Sequence, residues 1–245
     1  MPEVVRVSPT PLVAGTEPHS QSGNGLLALL RLALRRPVAP HDWLRVAGFV
    51  MLGNAITIVT CLVISRLAYG NYHRLFGEKH LGTLVSVGVL VASGVVCLKI
   101  AKQLPLARVR RFWKAFGVLL CIAAADDLLR LHEKLDKWLH ALFGWNANDR
   151  LTDHIDDALV FAYVLPAVYL AWRHRLVLAQ AALMVQVLGV AAVLFIVHVA
   201  IDVFGLGKAI EESFKQTAGC CILLAVLAVY MDKHLLRAWN GRSAN

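Results

Sequence analysis

The chain has 245 residues, 58% of them hydrophobic, and a mean hydropathy of +0.61. That apolar load excludes a soluble domain, because a core of this chain length cannot hide so much apolar surface. The formal net charge of +9 is sorted to one side of the predicted spans, which points to membrane topology and away from nucleic acid.

Residues 1–40 open with a stretch rich in Pro, Ser, Gly and Thr and show no cleavable signal peptide, so they are expected to be disordered. Within them, Leu26–Arg36 (LLALLRLALRR) is too short to span a bilayer. Its Arg31 and Arg35 share one helical face, which suits an amphipathic interfacial helix or a basic topology anchor. Apolar runs close to the ~20 residues needed to cross a hydrocarbon core then follow, at 44–66, 82–104, 112–132, 155–173, 178–203 and 209–231. The expected fold is an all-α, polytopic membrane bundle of six transmembrane helices over residues 41–235, with a cytoplasmic tail at 236–245.

An N-in, C-in arrangement puts 16 of the 25 Lys and Arg residues on the inner segments and 12 of the 16 acids on the outer ones, as the positive-inside rule requires. The expected location is the bacterial inner membrane, with the acids toward the periplasm. The five cysteines, Cys61, Cys97, Cys121, Cys220 and Cys221, lie in apolar runs without C-x-x-C spacing and read as packing residues. The outer connection 133–154 carries Leu135, Trp138, Leu139, Leu142, Phe143 and Trp145, a pattern for an amphipathic helix on the outer surface.

Eleven of the 16 acids fall between Asp126 and Glu212, at the ends of predicted spans. Ionisable groups at membrane depth are costly and point to function. The third span ends AAADDLLRLHEKL. On a continuous helix Asp126, Arg130 and Glu133 share one stripe and could form an ion-pair ladder; alternatively Asp126 or Asp127, with His132 or Glu133, faces inward and binds a cation. The fourth span opens TDHIDDALVFAYVLP. There Asp153, Asp156 and Asp157 occupy one arc beside His154, and three carboxylates so placed repel unless a cation or protons intervene. His198 and Asp202 are four apart on the fifth span, a workable ligand spacing. On the sixth, Glu211 can pair with Lys215 and Glu212 with Lys208.

Carboxylates and His from several helices suit Zn, Mn or Fe. The expected ligands for such a divalent metal are Asp127, His132, Asp157, His198, Asp202 and Glu212, with Asp126, Glu133 and Asp156 as candidate catalytic acids or bases. A metal-dependent hydrolase acting on a lipid or lipid-linked substrate is the leading expectation, and membrane lipids are the expected partners. A cation- or proton-coupled transporter and a non-catalytic accessory subunit are the alternatives.

The D-D-x4-H-E string at Asp126–Glu133, followed by Glu211-Glu212, resembles a group of bacterial multi-pass membrane proteins with a D-E-x4-H-E-like motif. Asp127 stands where that motif commonly has Glu. The resemblance covers roughly the last half of the chain and implies a multi-pass membrane protein without implying an activity. Alkaline ceramidase-like and progestin-receptor-like membrane hydrolases also use His and Asp, but this chain lacks their H-x-x-x-H in the last span.

Overall fold

The computed structural model describes residues 42–72, 74–76, 81–144, 165–204 and 207–241. Every regular element among them is helical. In chain order they are α1 (Trp43–Tyr69), a 3-10 turn (Arg74–Phe76), α2 (Leu81–Gln103), α3 (Ala107–Leu129), α4 (Leu131–Phe143), helical residues 165–173, the short α5 (Arg175–Leu178), α6 (Ala182–Val203), α7 (Lys208–Met231) and α8 (Lys233–Gly241). Four of these, α1, α2, α6 and α7, are long and apolar enough to cross a membrane. They mark the chain as a membrane protein.

The centre of the bundle is α7, which packs against α1, α2, α6 and α8. Its inward face is built mainly of small and mid-sized residues, including Ala218, Gly219, Cys220, Cys221, Ala225 and Ala228. Small residues let helix backbones approach closely, which is how helices associate in lipid. The same device joins α2 to α3. A Cβ placed on Gly94 would lie 3.0 Å from the Gly117 carbonyl oxygen and 2.6 Å from Cys121 Sγ. By contrast α1 is peripheral. It buries Asn54, Cys61 and Ser65, while Phe49, Leu52, Ile56, Val59, Val63 and Leu67 stay exposed. Its last turn closes on Gly70 at φ +72°, the left-handed cap that glycine favours.

A compact core gathers where α2 ends and α3 begins. Ile100, Leu104, Phe112 and Trp113 pack there with Met184, Val226, Val229 and Trp239. Trp239 Nε1 donates to Gln180 Oε1 at 2.7 Å, which ties α8 to the start of α6. Residues 233–241 are thus a docked helix, which takes in the first residues of the expected tail at 236–245.

Two other boundaries differ from expectation. The third helix stops at Leu129, not at 132. Arg130 adopts a left-handed conformation (φ 55°, ψ 47°) that ends α3 and starts α4. The fifth run does not begin at 178: Arg175–Leu178 forms one turn, the chain bends, and α6 starts at Ala182. Of the expected fourth span, residues 165–173 are helical and the remainder lies outside the described residues. The N-terminal segment 1–41 also lies outside them.

Candidate polar centre

The C-terminal ends of α3 and α6 meet α4 and the N-terminal end of α7 at one end of the bundle. The local chain path at Arg130 decides the geometry there. A helix start leaves backbone N–H groups without partners. Asp126, buried at the end of α3, reaches across the corner: its Oδ1 accepts from the His132 amide at 2.9 Å. Its Oδ2 lies 2.7 Å from His132 Nδ1. A carboxylate only accepts, so Nδ1 carries the proton in this pair. Asp126 therefore performs for α4 the work of an N-cap residue from the preceding helix. Asp126→Ala is expected to cost about 1–2 kcal/mol, read as a lower thermal midpoint in detergent; Asp126→Asn should recover part of it by keeping one acceptor.

The corner overturns the expected Asp126–Arg130–Glu133 stripe, which assumes a continuous helix. Arg130 grips Glu133, with Nε 2.8 Å from Oε1 and Nη2 on Oε2, while Asp126 turns to His132. Glu133, a candidate catalytic acid, is thus held by its own guanidinium partner.

Asp127 points toward α7, where its Oδ1 accepts from the Lys215 ammonium. Lys215 also lies 3.9 Å from Glu212 Oε1. The expected Glu211–Lys215 pairing gives way to this arrangement. Asp127 Oδ2 is buried and has no hydrogen-bond partner among the described residues. The residue after Lys215, Gln216, is 2% exposed, and both its side-chain nitrogen and its oxygen lack partners among the described residues. The next residue, Thr217, accepts from Asn54 Nδ2 at 3.0 Å; Asn54 Oδ1 is a further buried acceptor without a described partner.

His198 is buried on α6, and its Nδ1 lies 3.2 Å from the Glu211 carbonyl oxygen. A carbonyl only accepts, so this nitrogen too donates. Asp202, one turn on, is exposed, and its carboxyl group is near enough to that of Glu211 for the two charges to repel.

Among the described residues no three of His, Cys, Asp and Glu stand together in a way that could hold a metal ion. The expected ligands Asp127, His132, His198, Asp202 and Glu212 are divided among separate contacts. Asp127 and Glu212 flank Lys215, His132 meets Asp126, His198 meets a backbone carbonyl, and Asp202 meets Glu211. The physical reason is the Lys215 ammonium, a cation supplied by the chain itself, which stands where negative side chains from α3 and α7 meet. Asp156 and Asp157, with Asp153 and His154, lie outside the described residues.

Sequence reasoning underweights Lys215, Gln216 and Asn54. Spacing reports only neighbours on the same helix, and Lys215 finds Asp127 88 positions away. The available signal is a lysine and a glutamine side by side in a helix otherwise apolar enough to cross a membrane.

The family model described as a domain of unknown function (DUF8692) matches residues 46–231, from the first turn of α1 to the last residue of α7. No curated protein and no solved structure matches the chain.

Proposed function

Given that the chain belongs to the DUF8692 family of domains of unknown function, we propose that it is a proton- or cation-coupled membrane carrier. Its working centre is the Asp127–Lys215–Glu212 cluster. The observation that carries this reading is the Lys215 ammonium between two carboxylates of the bundle, next to the buried amide of Gln216, which has no partner among the described residues. A buried amide without partners costs about 1–3 kcal/mol per group. A helix bundle that keeps such groups beside an ion cluster has a polar track for a transiting proton or small cation. The track continues through Thr217 and Asn54, toward the middle of α1.

The proposal includes the finer topology: six spans with both termini inside and the polar centre on the periplasmic side of a bacterial inner membrane. The excess of Lys and Arg on the opposite segments supports that orientation.

Reconstitution tests the function. Proteoliposomes holding a pH-sensitive dye are expected to take up protons under an imposed membrane potential. Asp127→Asn should abolish uptake. Equal rates in wild-type, Asp127→Asn and protein-free vesicles would sink the carrier reading.

A second reading, hydrolysis of a lipid or lipid-linked substrate, draws on the Asp126–His132 pair. A carboxylate that fixes a histidine tautomer leaves Nε2 oriented as a general base. In that reading Asp156 or Asp157 would supply the further ligand for a divalent metal. Lipid turnover that disappears in His132→Gln, with no proton flux in the parent protein, would move the assignment to hydrolysis.

A further inference from the structure

The opposite end of the bundle carries a second polar feature, independent of the proposed carrier centre. His174 sits at the break between helical residues 165–173 and α5, where its amide donates to the Leu170 carbonyl at 3.0 Å and its own carbonyl accepts from Val177 and Leu178. Its ring lies against Phe112, with centroids 5.4 Å apart. The residue is 8% exposed, yet its Nδ1 has no hydrogen-bond partner among the described residues. Arg173 is its chain neighbour, and Arg108 and Arg111 stand exposed on the stretch of α3 that carries Phe112, so all three charges act on the ring.

No described carboxylate pairs with these arginines. The described acids at this end turn to their own helices: Asp42 faces Arg45 at 3.6 Å, and Asp232 accepts from the Leu235 amide at 2.9 Å. Burial and then the fields of Arg173, Arg108 and Arg111 hold the His174 imidazole below its usual range. The ring is therefore neutral at pH 7, with one N–H to donate. Arg173 donates to the Tyr169 hydroxyl at 2.9 Å and Arg111 to the Ala107 carbonyl at 3.3 Å, neutral acceptors that leave the positive charge at this end without a described counter-charge.

We propose that this basic end holds the phosphate of an anionic phospholipid headgroup between Arg108, Arg111 and Arg173, beside His174. Depth argues for a lipid over a free phosphate. Tyr169 and Trp172 stand exposed on the turn before His174. Arg173 lies over the Tyr169 ring and Arg175 over the Trp172 ring. Aromatic side chains at the end of an apolar helix mark headgroup level, and basic pockets between helices at that level bind lipid headgroups. Guanidinium groups also match phosphate oxygens in shape.

Native mass spectrometry of the full chain tests this. Offered equimolar phosphatidylglycerol and phosphatidylcholine, the protein is expected to retain the first preferentially. Each of the three arginines replaced by glutamine should cut that preference about fivefold. Lys134→Gln with Lys137→Gln, at the other end of the bundle, should leave it unchanged. If the arginine variants do not fold, His174→Phe keeps the packing on Phe112, removes the ring nitrogens and should still lower the preference. Equal retention of the two lipids by wild type, or an undiminished preference in every variant that folds, overturns the proposal. Thermal protection by inorganic phosphate with none from phosphatidylglycerol also overturns it, in favour of a free-phosphate site.

Discussion

Lys215→Met is expected to destabilise the bundle by about 2–3 kcal/mol, less than removing one partner of a fully buried ion pair costs, because the Lys215 side chain keeps 24% of its surface exposed. The methionine fills similar space, so lost packing contributes little. The loss arises because the Asp127 and Glu212 carboxylates, both beside the ammonium, would keep their charges in a half-buried place without it. The remedy follows from the same physics. Adding Asp127→Asn and Glu212→Gln to Lys215→Met removes the stranded charges and should return most of the stability. Tryptophan-fluorescence melting in detergent reads both steps. A Lys215→Met protein that melts with the wild type would show that the ammonium does not neutralise these carboxylates. This outcome is separate from transport, since the rescued triple variant should fold and carry nothing.

Gly117→Val and Gly94→Val are expected to be the most damaging substitutions outside the polar centre. A Cβ on Gly117 would lie 3.0 Å from the Gly94 carbonyl oxygen and 3.0 Å from Cys97 Cβ. Backbone atoms at that crossing cannot rotate away, so α2 and α3 must separate. Overpacking of this kind costs about 1–3 kcal/mol, and the branched side chain takes more room than its Cβ alone. The internal controls are Gly88→Ala and Gly189→Ala, where a Cβ meets nothing within 4 Å. Alanine at those helical positions should be neutral or should stabilise by up to about 1 kcal/mol. Melting points of the four variants, compared in one detergent, check the ordering. If the valine variants melt no lower than the alanine controls, the close crossing is wrong.

The four helices that can cross a membrane were legible in the sequence because long apolar runs need no partner to be recognised. The predicted 44–66 and 209–231 begin and end within three residues of the ends of α1 and α7. The corner after α3 was not legible. Its left-handed residue is Arg130, with no glycine, asparagine or proline beside it to announce a break. The consequence reached the site. On one straight helix Asp126 and His132, six positions apart, would point in quite different directions; across the corner they meet at 2.7 Å. The acids of α3 and α7 were correctly located at one end of the bundle, but spacing could not say that a lysine stands between them. Near-uniform apolarity leaves little periodic signal on which to orient a helix, so the inward turn of Gln216 was equally hidden.

Only one narrow line of α1, at Asn54, Cys61 and Ser65, is buried. Two hydrogen bonds reinforce it, Asn54 to Thr217 and the Leu75 amide to Ser65. Lipid tails wet the apolar sides of a helix about as well as protein does, so undocking this segment sacrifices little beyond those two bonds. Assembly can then proceed in order, with α2, α3, α6 and α7 settling first and α1 closing last. A lateral doorway from the hydrocarbon to Thr217 stays open until it does.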